Sequence, residues 1–131
     1  MAESRFERGS RILASIDGQG GQAVVDSLQD IAPELGNWIV EFAFGDVYAD
    51  PTLDARQREL VTLGSLVTQG DTAPQLKVHI AAALHVGLSR AEVIQAILQT
   101  APYVGFPRVI NAVNLARAVF QNEDEAKVHE G

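Results

Sequence analysis

Apolar residues along this chain recur at the spacing of helices. Pro33 to Phe44 shows it most plainly, with Leu35, Trp38, Ile39 and Phe42 at i, i+3, i+4 and i+7. Sustained period-two alternation and Asn-Gly or Asp-Gly hairpins are missing, so strand signals are nearly absent. Ser4 to about Ile16 carries Phe6, Ile12, Leu13 and Ile16 and reads as a first helix, broken by Gly18-Gln19-Gly20-Gly21. Gln22 to Gln29 reads as a second, short helix, and Pro33 to Phe44 as a third, with Trp38 a core residue. Gly45 and Pro51 bracket a loop holding Asp46, Tyr48 and Asp50.

The later starts are marked by capping pairs. Asp54 with Gln57, Thr72 with Gln75, and Ser89 with Glu92 each fit the N-cap and N3 positions of a capping box. Pro74 falls in a first turn, where its missing N–H costs little. Gly70 and Gly87 stand where helix C-terminal glycines belong. The spacing predicts helices near 55–69, 73–86 and 90–101, and a last one from Pro107 to about Gln121. The charged tail 122–131, with His129 solvated, is expected to fray. The whole reads as one all-α domain, a bundle of about six to seven helices.

Two of these helices are unusually apolar. Between Pro74 and Val86 the polar side chains are Gln75, Lys77, His79 and His85, scattered around the wheel. In the last helix Asn111, Asn114, Arg117 and Gln121 form one narrow polar stripe. A helix apolar nearly all round is buried on most sides. Either both are central helices of one bundle or the chain forms an obligate homo-oligomer through them; the apolar surface favours the oligomer.

Composition narrows the functions. The chain has 131 residues, 47% hydrophobic and 21% charged, a globular mix. Seventeen acids against ten bases give a net charge of −7, a surface that repels phosphate backbones and anionic lipid. Nucleic-acid and membrane partners are therefore not expected. Cysteine is absent, which removes disulfides, thiolate metal sites and Cys nucleophiles. The charged start MAESRFERGSRIL has no apolar run of signal-peptide type, and a cytoplasmic location is expected.

Two residues can carry chemistry. Glu59 lies on the wheel of helix 55–69 between Leu66 and Leu63, in an arc completed by Val67, Leu60 and Gly64. Desolvation raises a carboxyl's pKa, and a raised carboxyl serves as a general acid or base near pH 7. Equally, a Glu at the stripe edge can snorkel or pair with Arg56 or Arg58. His79, flanked on its wheel by Val86 and Ala83, is also on an apolar face. Imidazole is the natural proton shuttle at neutral pH, although a lone His there is more often a satisfied core residue. His79 and His85 do not share a face, which argues against a two-His metal site. Glu59 and His79 flank a short connection at modest, similar depths, so an antiparallel helix pair brings them near each other. Tyr103, in the turn Pro102-Tyr103-Val104-Gly105-Phe106-Pro107, can wall a pocket with Arg108 as anion anchor, or the turn can serve packing alone. No HExxH, Asp-rich metal loop or phosphate-binding Gly loop is present.

A dispersed set of residues resembles one family. Phe44-Gly45-Asp46-Val47-Tyr48, Leu53-Asp54, Arg58-Glu59-Leu60-Val61-Thr62-Leu63, Gln75-Leu76, His79, Ala82-Ala83-Leu84 and Gly87 are similar to the carboxymuconolactone decarboxylase family. Glu92-Val93-Ile94, Gln99, Tyr103-Val104-Gly105-Phe106-Pro107, Asn111-Ala112 and the opening Arg5-Phe6-Glu7-Arg8-Gly9 continue it. The resemblance implies the alkylhydroperoxidase D-like all-α fold and ring-shaped homo-oligomers, trimers or hexamers. It implies removal of CO2 from a small carboxylated lactone in aromatic catabolism, with no metal or organic cofactor. It also implies proton handling at His79. Two departures stand out. The peroxidase branch carries Cys-x-x-Cys where this chain has Asp71-Thr72-Ala73-Pro74-Gln75, which excludes thiol peroxidase chemistry. The lactone decarboxylases usually lack a Glu at the place of Glu59 and carry a Pro-Ala-Ala-Asn turn, where this chain has Pro107-Arg108-Val109-Ile110. A side-branch member with another substrate is the resulting expectation, with other proton-transfer enzymes and a non-catalytic binding protein as alternatives.

Overall fold

A computed structural model describes residues 2–130, with side-chain surroundings through Val128; the expectation for His129 lies outside them. Helices joined by short turns make up the described residues, and no strand occurs among them. The helices are α1 (Arg5–Asp17), α2 (Gln19–Ser27), α3 (Pro33–Trp38) running on as a π-helix (Ile39–Val47), α4 (Ala55–Gln69), α5 (Ala73–His85), α6 (Arg90–Gln99), the single turn α7 (Ala101–Val104) and α8 (Phe106–Glu130). The chain divides into two units, residues 1–58 and 59–131.

In the first unit α1 packs on the π-helix through glycine. A Cβ on Gly9 would run into the carbonyl oxygen of Val40, and one on Gly45 would sit 2.7 Å from that of Arg5. Only glycine permits so close a backbone approach. Arg8 Nε donates to the Gly45 carbonyl at 2.6 Å. Arg5 forms a fork onto Asp46, at 3.1 and 2.7 Å. Leu13, Ile16, Val25, Val40 and Phe44 make the buried centre.

The π-helix corrects the reading of this region. The expected stripe of Leu35, Trp38 and Phe42 faces outward, and Trp38 is 63% exposed instead of buried. The buried side is Gly36, Val40 and Phe44. A steady step of four residues fits the wider π turn better than the 3.6-residue α turn. The helical backbone also continues through Asp46 to Val47, where a loop was expected. The Gly-rich break proves to be Gly18 alone, at φ +56°; Gly20 and Gly21 lie inside α2.

In the second unit α5 is the central helix, with Leu76, Ile80, Ala82 and Ala83 buried. Leu63 and Val67 of α4, Val93 and Ile97 of α6, and Val109, Ala112, Ala116 and Val119 of α8 close around it. Two of the three capping boxes form. Asp54 and Gln57 exchange backbone-to-side-chain bonds of 2.9 and 2.8 Å, and Ser89 and Glu92 do the same. Thr72 does not cap α5. Its hydroxyl donates instead to the Leu66 carbonyl at 2.7 Å, tying the start of α5 to the end of α4. Gly70 and Gly87 take positive φ, at 69° and 106°, after α4 and α5 as their positions predict. The last helix was expected to end near Gln121, but α8 runs to Glu130, and Arg90 of α6 bonds it at Asp124 (2.7 Å) while lying over the Phe120 ring. Among the described residues no helix is long and apolar enough to cross a membrane.

Candidate active site

Glu59 and His79 meet. Glu59 falls on the α4 face that also presents Leu63 and Val67 to the core, and its accessibility is 0%. The alternative of a snorkelling edge residue is thereby ruled out. The short connection after Gln69 turns the chain through Gly70 and Asp71, the latter at φ +53°. This returns α5 along α4 and sets His79 Nδ1 3.0 Å from Glu59 Oε2. In the tautomer that carries its proton on Nδ1, the imidazole donates to this carboxyl, which fixes the ring's orientation. The two partners differ in access to solvent. The His79 side chain is 22% exposed, whereas that of Glu59 is sealed. A group arriving from solvent can reach the imidazole but not the carboxyl. The arrangement is a partly exposed imidazole backed by a buried carboxyl, a geometry that general acid–base chemistry can use.

The other two expected site residues lie elsewhere in this unit. Tyr103, on the single-turn α7, is 80% exposed. Arg108, on the first turn of α8, donates from Nη1 to the Thr68 carbonyl at 3.1 Å. It lines a cavity of about 660 Å³ between the end of α4, the start of α5 and α8. Neither Glu59, His79 nor Tyr103 is among the residues lining that cavity. The structure thus joins Glu59 with His79 and sets Arg108 in a separate concavity. That concavity also takes in Asn111 and Asn114. In the sequence both belong to the polar stripe of an apolar helix, and Asn111 also to the family resemblance. Among the described residues no three His, Asp or Glu side chains gather as a metal-ligating group.

Comparison with known proteins agrees with this frame. The model of the carboxymuconolactone decarboxylase family matches residues 33–118. A 4-carboxymuconolactone decarboxylase of Acinetobacter baylyi is 28% identical over 92% of this chain and 90% of its own length. A nitrosuccinic acid decarboxylase of Metarhizium robertsii is 32% identical over 82% of this chain and 76% of its own. A 15.0 kDa protein of Paracoccus denitrificans is 31% identical over 76% of this chain and 75% of its own. With a family match over residues 33–118, more than half of its length, this all-helical, cysteine-free chain belongs to the carboxymuconolactone decarboxylase family.

Proposed function

We propose that the protein is a carboxy-lyase that removes CO2 from a small organic acid, with His79 as the proton donor and Glu59 as its positioning partner. The observation that carries this reading is the 3.0 Å contact between a sealed carboxyl and a partly exposed imidazole. In the reaction the C–CO2⁻ bond breaks, CO2 leaves, and the electron pair stays on carbon, delocalised into an adjacent electron-withdrawing group. A proton from His79 Nε2 then bonds to that carbon, and solvent returns a proton to the imidazole. Glu59 acts by holding the imidazole and by stabilising its charged form, without touching substrate. Two relatives named as decarboxylases act on different acids, 4-carboxymuconolactone and nitrosuccinic acid. The buried Glu59 supports a substrate other than the lactone, and the carboxylated lactones of aromatic catabolism remain the first class to assay. In this reading the protein works in the cytoplasm as a homo-oligomer, a trimer or hexamer. The exposed Tyr103, Phe106 and Ile110 support that assembly, being 80%, 74% and 56% accessible in the single chain.

The test is CO2 release from 4-carboxymuconolactone and from nitrosuccinic acid by purified, chelator-treated protein. Stoichiometric CO2 with loss of either acid is the expected result. No release from either acid, by protein with the native helical spectrum, would overturn the assignment.

A further inference from the structure

The cavity beside Arg108 is not needed by the proton-transfer pair, yet it has the build of a ligand site. Its volume, about 660 Å³, is that of small-molecule pockets. Leu66, Leu76 and Leu115 supply an apolar floor, while Arg108, Asn111 and Asn114 stand at its edge. The guanidinium is held in place. Its Nη1 is bound to the Thr68 carbonyl, and it lies close against Gly70, where a Cβ would come within 2.8 Å of Nε and 3.4 Å of Cζ. Gly70, at φ +69°, both makes the turn and leaves that room. Among the described residues Arg108 forms no ion pair, although Asp71 lines the same cavity. Among the described residues one of its five N–H donors is committed, and the other four are open to a ligand. The Asn114 carbonyl oxygen accepts from Arg117 at 2.9 Å, which orients the side chain and leaves its NH2 unspent. A fixed guanidinium with unspent amide donors beside an apolar floor suits a carboxylate attached to a flat apolar body.

We propose that this cavity is a second small-molecule site, for a one- or two-ring aromatic carboxylate, separate from Glu59 and His79. The carboxylate bonds Arg108 and the Asn114 amide, and the rings lie on the three leucines.

The experiment is titration of the full chain with 2-naphthoate, followed by backbone amide shifts, with uncharged 2-naphthamide as control. Saturable shifts confined to residues 66–73 and 108–118 are expected. Binding of 2-naphthamide and binding to Arg108→Gln are each expected to be at least about tenfold weaker, the loss of one charge-assisted contact. His79→Gln is expected to leave the affinity unchanged within about twofold, which separates this site from the proton-transfer pair. If Arg108→Gln does not fold, Ala118→Phe, at an exposed rim position, fills the cavity and must abolish binding. Equal binding of acid and amide, shifts centred on His79, or no saturation below about 10 mM would each overturn the proposal. So would an Arg108→Gln variant that loses self-association and never bound the probe, since that would give the groove to a second copy.

Discussion

Replacing His79 by Leu takes a hydrogen-bond partner from a carboxyl that no water can reach. Glu59 is 0% accessible, and Nδ1 of His79 is 3.0 Å from its Oε2. Deleting one member of a fully buried ion pair costs about 3–5 kcal/mol, and a hydrogen bond to a charged group is worth about 1.5–3 kcal/mol. His79 is 22% exposed, so the variant's relaxed site readmits some solvent and the lower part of the range applies. We expect a loss of about 3 kcal/mol, which for a domain of this size lowers Tm by about 10 °C. Glu59→Leu leaves the more accessible imidazole short of an acceptor and is expected to cost about 1–2 kcal/mol. The double replacement removes both demands together and is expected to cost less than His79→Leu alone. Urea unfolding at pH 7 of the four proteins closes the cycle, with a coupling of more than about 1 kcal/mol. Single costs that add to the double within about 0.5 kcal/mol would refute the idea that these side chains hold each other in place.

Other outcomes follow from the packing and the caps. Gly9→Ala drives a Cβ into the Val40 carbonyl and is expected to destabilise the first unit by at least about 2 kcal/mol, seen as faster amide exchange in α1 and the π-helix. Ser89→Ala removes one half of the α6 capping box and is expected to cost about 1 kcal/mol in denaturant unfolding, with Ser89→Asp close to wild type. The Arg5 fork holds the Asp46 carboxyl below the ordinary aspartate range, chiefly by hydrogen bonding. Its support for folding is thus complete above the unfolded value of about 3.9 and lost as pH falls through the lowered folded value. A carbon-detected titration should show Asp46 moving up toward that ordinary value in Arg5→Ala, and no movement would sink the assignment.

Much of this was legible because it is written locally. Asp54 with Gln57 and Ser89 with Glu92 satisfy backbone donors within one turn, so three-residue spacing suffices to find them. The Glu59–His79 encounter was accessible for a related reason. A helix wheel places each on its inner face, and a short connection fixes their depth. What escaped depends on competition. Thr72 takes φ −124° and ψ 27°, away from the extended backbone of a capping residue, and turns its hydroxyl to the Leu66 carbonyl, which three-residue spacing does not show. Trp38 faces outward because the side turned inward is that of Gly36, Val40 and Phe44, where the glycines of this unit let backbones meet closely, and apolar spacing alone ranks the larger Leu35, Trp38 and Phe42 first. The last helix runs on past Gln121, where Arg90, thirty-four residues before Asp124, bonds it. The cavity at Arg108 draws on α4, α5 and α8 together, and no single segment announces it.

The central claim is that His79 delivers the proton. The most direct measurement compares the rates at which wild type and His79→Ala release CO2 from whichever of the two acids the wild type accepts, at matched oligomeric state. The account expects a fall of at least about a hundredfold in kcat, the usual worth of a positioned general acid, with Glu59→Gln intermediate. Equal rates in wild type and His79→Ala would contradict it.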